Sequence, residues 1–204
     1  MLTDLPNVLT LMRIGSIPLL VGLVAVGHAE TDALACVIYT AACITDYLDG
    51  MLARRWHQYS DLGRMMDPIA DKLLVGALLL TLAGYGRLHW GALFAAIVIL
   101  LREILVSGLR EYMASQHATL PSSRLAKWKT GIQMVAIGML LAGDRTAALI
   151  RLPMLPIAGL GVLLLWISAI PTVLTGWDYL VKGVTRMTAS HAAPATPGTP
   201  KAAP

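Results

Sequence analysis

Apolar residues fill this chain in long blocks separated by short polar breaks. The blocks predict six helices, roughly 6–28, 32–57, 66–86, 89–116, 125–143 and 152–182. His28 to Asp32 reads as a short acidic turn, and Gly84-Tyr85-Gly86 as a glycine-rich stop. Leu120-Pro121-Ser122-Ser123 reads as a loop with a helix cap, and Gly143-Asp144-Arg145 as the end of the fifth helix. No small-residue cleavage site follows the first block, so it is expected to be a retained helix. From Thr188 the chain turns to Ala, Pro, Thr and Gly without periodicity. This divides it into a six-helix domain, 1–187, and a tail, 188–204, expected to be disordered.

Most of the blocks are lopsided. Their uncharged parts cover 14–27, 33–45, 73–86, 88–101 and 130–143. Fourteen residues of helix reach about 21 Å, short of the roughly 30 Å hydrocarbon core of a bilayer. Each of these helices must complete a crossing with a charged portion. If successive helices alternate in direction, those portions gather on one side. With the N-terminus inside, 13 of the 16 Lys and Arg fall on the inner side. That bias predicts N-in, C-in topology. Trp56, Trp90, Trp128 and Trp177 fall near predicted helix ends, as an interfacial belt requires. The expected fold is therefore all-α and integral to the membrane, with six transmembrane helices around a polar cavity open to the cytoplasm.

Composition agrees. Hydrophobic residues make up 56% and charged residues 14% of the 204, too few charges for a soluble domain. Cys36 and Cys43 lie in an apolar run without metal or disulfide spacing and are read as core residues. No two of the five histidines have ligand spacing. A net charge of +4 suits anionic lipids or anionic substrates, and no nucleic-acid partner is expected.

The chemistry is concentrated between residues 46 and 71. Asp46 and Asp49 are spaced i,i+3, and Asp67 and Asp71 i,i+4, so each pair shares a helix face. Ionisable groups in a membrane setting are costly and point to function. Two carboxylate pairs offer oxygen-only ligands that suit Mg²⁺, Mn²⁺ or Ca²⁺, and two divalent ions would balance four charges. Carboxylate sites for Mg²⁺ characteristically serve phosphate substrates. Gly50, Ala53 and Gly63 leave room beside the carboxylates for a bulky ligand. Pro68 costs little if it lies in the first turn of the third helix. For an anionic acceptor, Arg124 and Lys127 share a face at i,i+3, with Arg102, Arg110 and Lys129 as further cations. Arg102 and Glu103 could instead pair with each other. These residues alone leave open an ion or proton transporter that uses intramembrane aspartates.

The residues Asp46, Asp49, Gly50, Ala53, Arg54, Gly63, Asp67 and Asp71, with an eight-residue spacer from Arg55 to Leu62, fill every fixed position of a family signature. The chain thereby resembles the CDP-alcohol phosphotransferases over roughly residues 5–182. The resemblance implies six transmembrane helices, a homodimer, and Mg²⁺- or Mn²⁺-dependent displacement of CMP from a CDP-linked donor by an alcohol. It implies that Asp46, Asp49 and Asp67 are metal ligands and that Asp71 shares metal binding with the role of catalytic base. Gly50, Ala53 and Arg54 would line the CDP site, which extends to Gly63 and to Asn7, Thr10 and Arg13 of the first helix.

Three further segments resemble the family members that join CDP-diacylglycerol to sn-glycerol 3-phosphate in a bacterial inner membrane. They are Pro6 to Arg13 with Pro18, Arg102-Glu103-Ile104 with Ser107 to Glu111, and Lys127 to Thr130 with Gln133-Met134. A different acceptor, such as phosphatidylglycerol, serine or an inositol phosphate, remains open on the sequence.

Overall fold

The computed structural model describes residues 5–56, 61–115, 124–149, 151 and 154–192. At 5–7, 49–50, 52–56, 61–65, 90, 124, 126, 182 and 186–192 it describes the backbone alone. The described residues form six helices: α1 (Leu5–Val26), α2 (Ala29–Trp56), α3 (Asp61–Gly84), α4 (Trp90–Ser115), α5 (Arg124–Leu149) and α6 (Ile157–Ala192).

Several boundaries differ from those read in the sequence. Glu30 and Asp32 lie in the first turn of α2, where acidic groups favour the helix dipole, and not in a turn before it. α3 starts at Asp61, which places Pro68 inside the helix beyond its first turn. Proline has no N–H for the carbonyl four residues earlier, so the α3 ladder is interrupted just where Asp67 stands. Gly143 does end the regular part of α5. Its φ of 62° breaks the helix, and a last short turn continues to Leu149. α6 stays helical past residue 187, to Ala192, and the remainder of the tail, 193–204, lies outside the described residues.

The helices pack in a closed ring, in the order α1, α2, α5, α6, α4, α3 and back to α1, and α3 also touches α5 across the interior. Leu74, Leu78 and Leu82 recur every fourth residue along α3 and are almost fully buried. Around them lie Leu20, Ile99, Ile137, Leu140, Leu141 and Leu165. α5 and α6 approach closely at Gly161, where an added Cβ would stand 3.0 Å from Leu140 Cγ and 3.2 Å from the Ala136 carbonyl oxygen. Small residues at such crossings are the usual means of joining helices in lipid.

The outer surface is apolar. Phe94, Leu101, Leu163, Ile170, Leu174 and Trp177 are all exposed, as is Trp128. Stretches of α1, α4, α5 and α6 are long and apolar enough to cross a membrane: Val8–Val26, Gly91–Ser115, Lys127–Leu149 and Ile157–Thr185. The chain is a helical membrane protein.

Candidate active site

The site lies where the N-terminal part of α1 meets the C-terminal part of α2 and the N-terminal part of α3. Thr10 and Arg13, one turn apart on α1, are both buried. The Thr10 hydroxyl donates to Asp67 Oδ1 on α3. Arg13 Nη2 lies 2.5 Å from Asp46 Oδ1 on α2. One face of α1 therefore ties together a carboxylate from each of the two acidic helices. The Asp46 carboxylate lies within electrostatic reach of both Asp67 and Asp71. Arg13 is not saturated by this pairing. Its Nε and Nη1 are buried and have no hydrogen-bond partner among the described residues.

A second cluster adjoins the first. Asp71 and Lys72 of α3 share a small cavity with Glu103 of α4 and Thr130 and Gln133 of α5. Glu103 is the hub of this cluster. Its Oε1 accepts from Lys129 Nζ and, at 3.2 Å, from Arg102 Nη1. Arg102 Nη2 donates to the Thr175 hydroxyl of α6 at 2.9 Å, and Arg110 Nη2 donates to the Tyr179 hydroxyl at 2.8 Å. Both guanidinium groups lie against the Tyr179 ring, at 5.8 and 5.0 Å from its centroid. Gly176 makes room for the Arg102 stem, since an added Cβ would meet Arg102 Cγ at 2.9 Å.

The structure thus brings together Thr10, Arg13, Asp46, Asp67 and Asp71, and beside them Arg102, Arg110 and Lys129. It does not bring Lys127 to them. Lys127 is exposed and lines an apolar groove with Trp128, Gly131 and Leu164. The reason is helical geometry: residues two apart, such as 127 and 129, point to opposite sides. The side chains of Asn7, Asp49, Gly50, Ala53, Arg54, Gly63 and Arg124 lie outside the described residues. Sequence reasoning missed Thr175 and Tyr179, and it took Glu103 only as a partner for Arg102. A usable signal was present in α5, where Lys129 and Gln133 stand at i,i+4 and so share a face, the face that the structure buries.

The donor set around Asp46, Asp67 and Asp71 consists of oxygens, which fits a hard divalent cation. Among the described residues no three metal-binding side chains converge on one point.

A profile of the CDP-alcohol phosphatidyltransferase family matches residues 3–177. The chain belongs to that family. Its relatives include proteins named CDP-diacylglycerol–glycerol-3-phosphate 3-phosphatidyltransferase from several organisms. The one from Rickettsia typhi is 39% identical, over 86% of this chain and 94% of its own length. That from Cereibacter sphaeroides is 35% identical, over 89% of this chain and 96% of its own. A plant relative from Arabidopsis thaliana, carrying the same name with the numeral 2, is 40% identical over 81% of this chain and 73% of its own.

Proposed function

We infer that this chain transfers the phosphatidyl group of CDP-diacylglycerol to sn-glycerol 3-phosphate, giving phosphatidylglycerophosphate and CMP. The carrying observation is that one face of α1 holds both Asp46 and Asp67, and that Asp71 shares a cavity with Glu103, the hub of the cation cluster, in a chain whose relatives bear that enzyme's name. One region suits a pyrophosphate, and its neighbour suits a second phosphate.

In this reading all six helices cross the membrane. α2 and α3 have 28 and 24 residues, and although charged they are long enough, at 1.5 Å per residue, for a roughly 30 Å core. The inner bias of Lys and Arg supports N-in, C-in placement in a bacterial inner membrane, with the polar cavity facing the cytoplasm. A homodimer is part of the same proposal.

Asp46, Asp49, Asp67 and Asp71 would hold Mg²⁺ or Mn²⁺, as two ions. When bound, the ions supply positive charge to the pyrophosphate and to departing CMP. Arg13 keeps Asp46 in place and still has two nitrogens, Nε and Nη1, to offer a phosphate oxygen. Thr10 orients Asp67. Gly50, Ala53, Arg54, Gly63 and Asn7 complete the donor site. Arg102, Arg110 and Lys129 hold the acceptor's phosphate, and Glu103 fixes two of these cations in advance. Asp71 takes the proton of the acceptor's C1 hydroxyl. That oxygen bonds to the phosphorus bearing diacylglycerol, the bond from this phosphorus to the bridging oxygen breaks, and CMP leaves with the electron pair.

The test is acceptor choice. Purified protein in mixed micelles with CDP-diacylglycerol and Mg²⁺ receives sn-glycerol 3-phosphate, glycerol, serine, inositol phosphate or phosphatidylglycerol. CMP release is expected with sn-glycerol 3-phosphate and lost on chelation. Turnover with another acceptor but not with this one overturns the reading.

A further inference from the structure

Gln133 takes no part in the scheme above, yet it is buried at 4% exposure and its Oε1 has no hydrogen-bond partner among the described residues. Buried side-chain amides are rarely left unmatched, because the desolvated group loses its bonds to water without replacement. The amide lines a cavity of about 30 Å³ whose wall also includes Asp71, Glu103 and Thr130. That volume is enough to admit a hydroxyl-sized group.

We propose that Gln133 is a specificity-determining residue that hydrogen-bonds the middle, C2 hydroxyl of the acceptor. The inference rests on the phosphatidyl-transfer reading and extends it to a residue and an atom. The lining of that cavity carries it. The acceptor bears a phosphate at one end, the attacked hydroxyl at the other, and the remaining hydroxyl between them. The cavity that the Gln133 amide lines is lined as well by Asp71, the base of the scheme above, and by Glu103, which binds the Lys129 and Arg102 cations. Lys129 and Gln133 share a face of α5 at i,i+4, so the cation and the amide are set one turn apart. A hydroxyl both donates and accepts, so it satisfies the amide in either of its two orientations.

The test compares two acceptors on two proteins. One acceptor is sn-glycerol 3-phosphate. The other is 3-hydroxypropyl phosphate, which lacks only the C2 hydroxyl. Sites built to bond a substrate hydroxyl reject the analogue without it strongly, so the parent protein should prefer sn-glycerol 3-phosphate by roughly 100-fold or more in kcat/KM. Gln133→Met keeps the volume and removes the polar end, so it should collapse that preference to within about 3-fold, mainly by losing the natural acceptor. The ratio is read within one preparation, so the folded fraction cancels. An unchanged ratio in Gln133→Met, or loss of both acceptors together, overturns the proposal, as does a parent protein that does not discriminate. Failure of the parent protein to use sn-glycerol 3-phosphate at all would instead sink the underlying reading.

Discussion

Polar side chains gather at both ends of this bundle, and the two ends treat them differently. At the end away from the aspartates, buried Asp32 pairs with Arg87 at 2.5 Å. Arg87 also donates to the Leu141 carbonyl at 2.9 Å, and Arg145 to the Gly27 carbonyl at 2.5 Å. Asp144 accepts the Ala158 N–H at 2.9 Å, in the first turn of α6. These side chains tie the ends of neighbouring helices to one another and to the connections between them. At the aspartate end the cations are more deeply buried and incompletely matched. The four buried side-chain atoms without partners among the described residues belong to Arg13, Arg102 and Gln133, all at this end. At the first end every buried side-chain nitrogen and oxygen among the described residues has a partner within the chain. The other keeps capacity for something that is not the chain. That distinction separates polar groups that hold a membrane protein together from polar groups that bind.

The comparison makes predictions that rank by size. Asp71→Asn should lower kcat by about 10³-fold, the range of a lost general base, while the unfolding temperature holds or rises because a like charge near Asp46 is gone. Steady-state CMP release and thermal unfolding in detergent read the two effects. Asp32→Ala should do the reverse. It strands Arg87 and should cost about 3 kcal/mol of stability, with kcat/KM unchanged at a temperature where the protein is folded. Replacing both partners, as Asp32→Leu with Arg87→Leu, should recover most of that loss. If Asp32→Ala instead reduced kcat/KM with no loss of stability, the division between the two ends would fail.

The faces of α5 provide a third contrast. Lys129→Met should raise KM for the acceptor by roughly 10-fold or more, since it removes a charge-assisted contact to phosphate. Lys127→Ala should change KM by less than about 2-fold, because that lysine faces the apolar groove. Equal effects would mean that the two lysines act together despite their opposite faces.

The first of these contrasts was half legible in the sequence. The two carboxylate pairs were plain from spacing alone, since i,i+3 and i,i+4 are properties of any helix. Asp32 was not. It reads as part of a polar turn until Arg87, 55 residues away, is brought to it. The same holds for Thr175, 73 residues from Arg102, and Tyr179, 69 residues from Arg110. Periodicity reports which face a residue occupies but says nothing of which helix stands opposite. Lys127 shows a failure of a different kind. Its i,i+2 relation to Lys129 was visible, and helical geometry alone separates the two. Hydropathy starts α3 near residue 66 and so puts Pro68 in its first turn, whereas the helix begins at Asp61 among polar residues. Gly143 was placed well, since glycine followed by Asp and Arg marks a break that its φ of 62° realises.

The finest contrast lies within the cation cluster and concerns a residue with no polar side chain. Gly176 sits one residue after Thr175, and an alanine Cβ there would stand 2.9 Å from Arg102 Cγ and 3.5 Å from its Nε. Cγ lies near the root of the side chain, so the whole guanidinium must move with it. Gly176→Ala should therefore displace Arg102 from Thr175 and Glu103 together. Alanine gains about 1 kcal/mol over glycine inside a helix, and overpacking costs about 1–3 kcal/mol. The two nearly cancel, so the unfolding temperature should move little. KM for the acceptor has no such compensation and should rise about 3- to 10-fold, the size expected when a charged contact is weakened and not lost. A double-mutant cycle identifies the route. In an Arg102→Met background the same glycine substitution should add almost nothing to KM, because the group it displaces is already gone. If the two effects multiply instead, Gly176 acts on the site by a path that does not pass through Arg102.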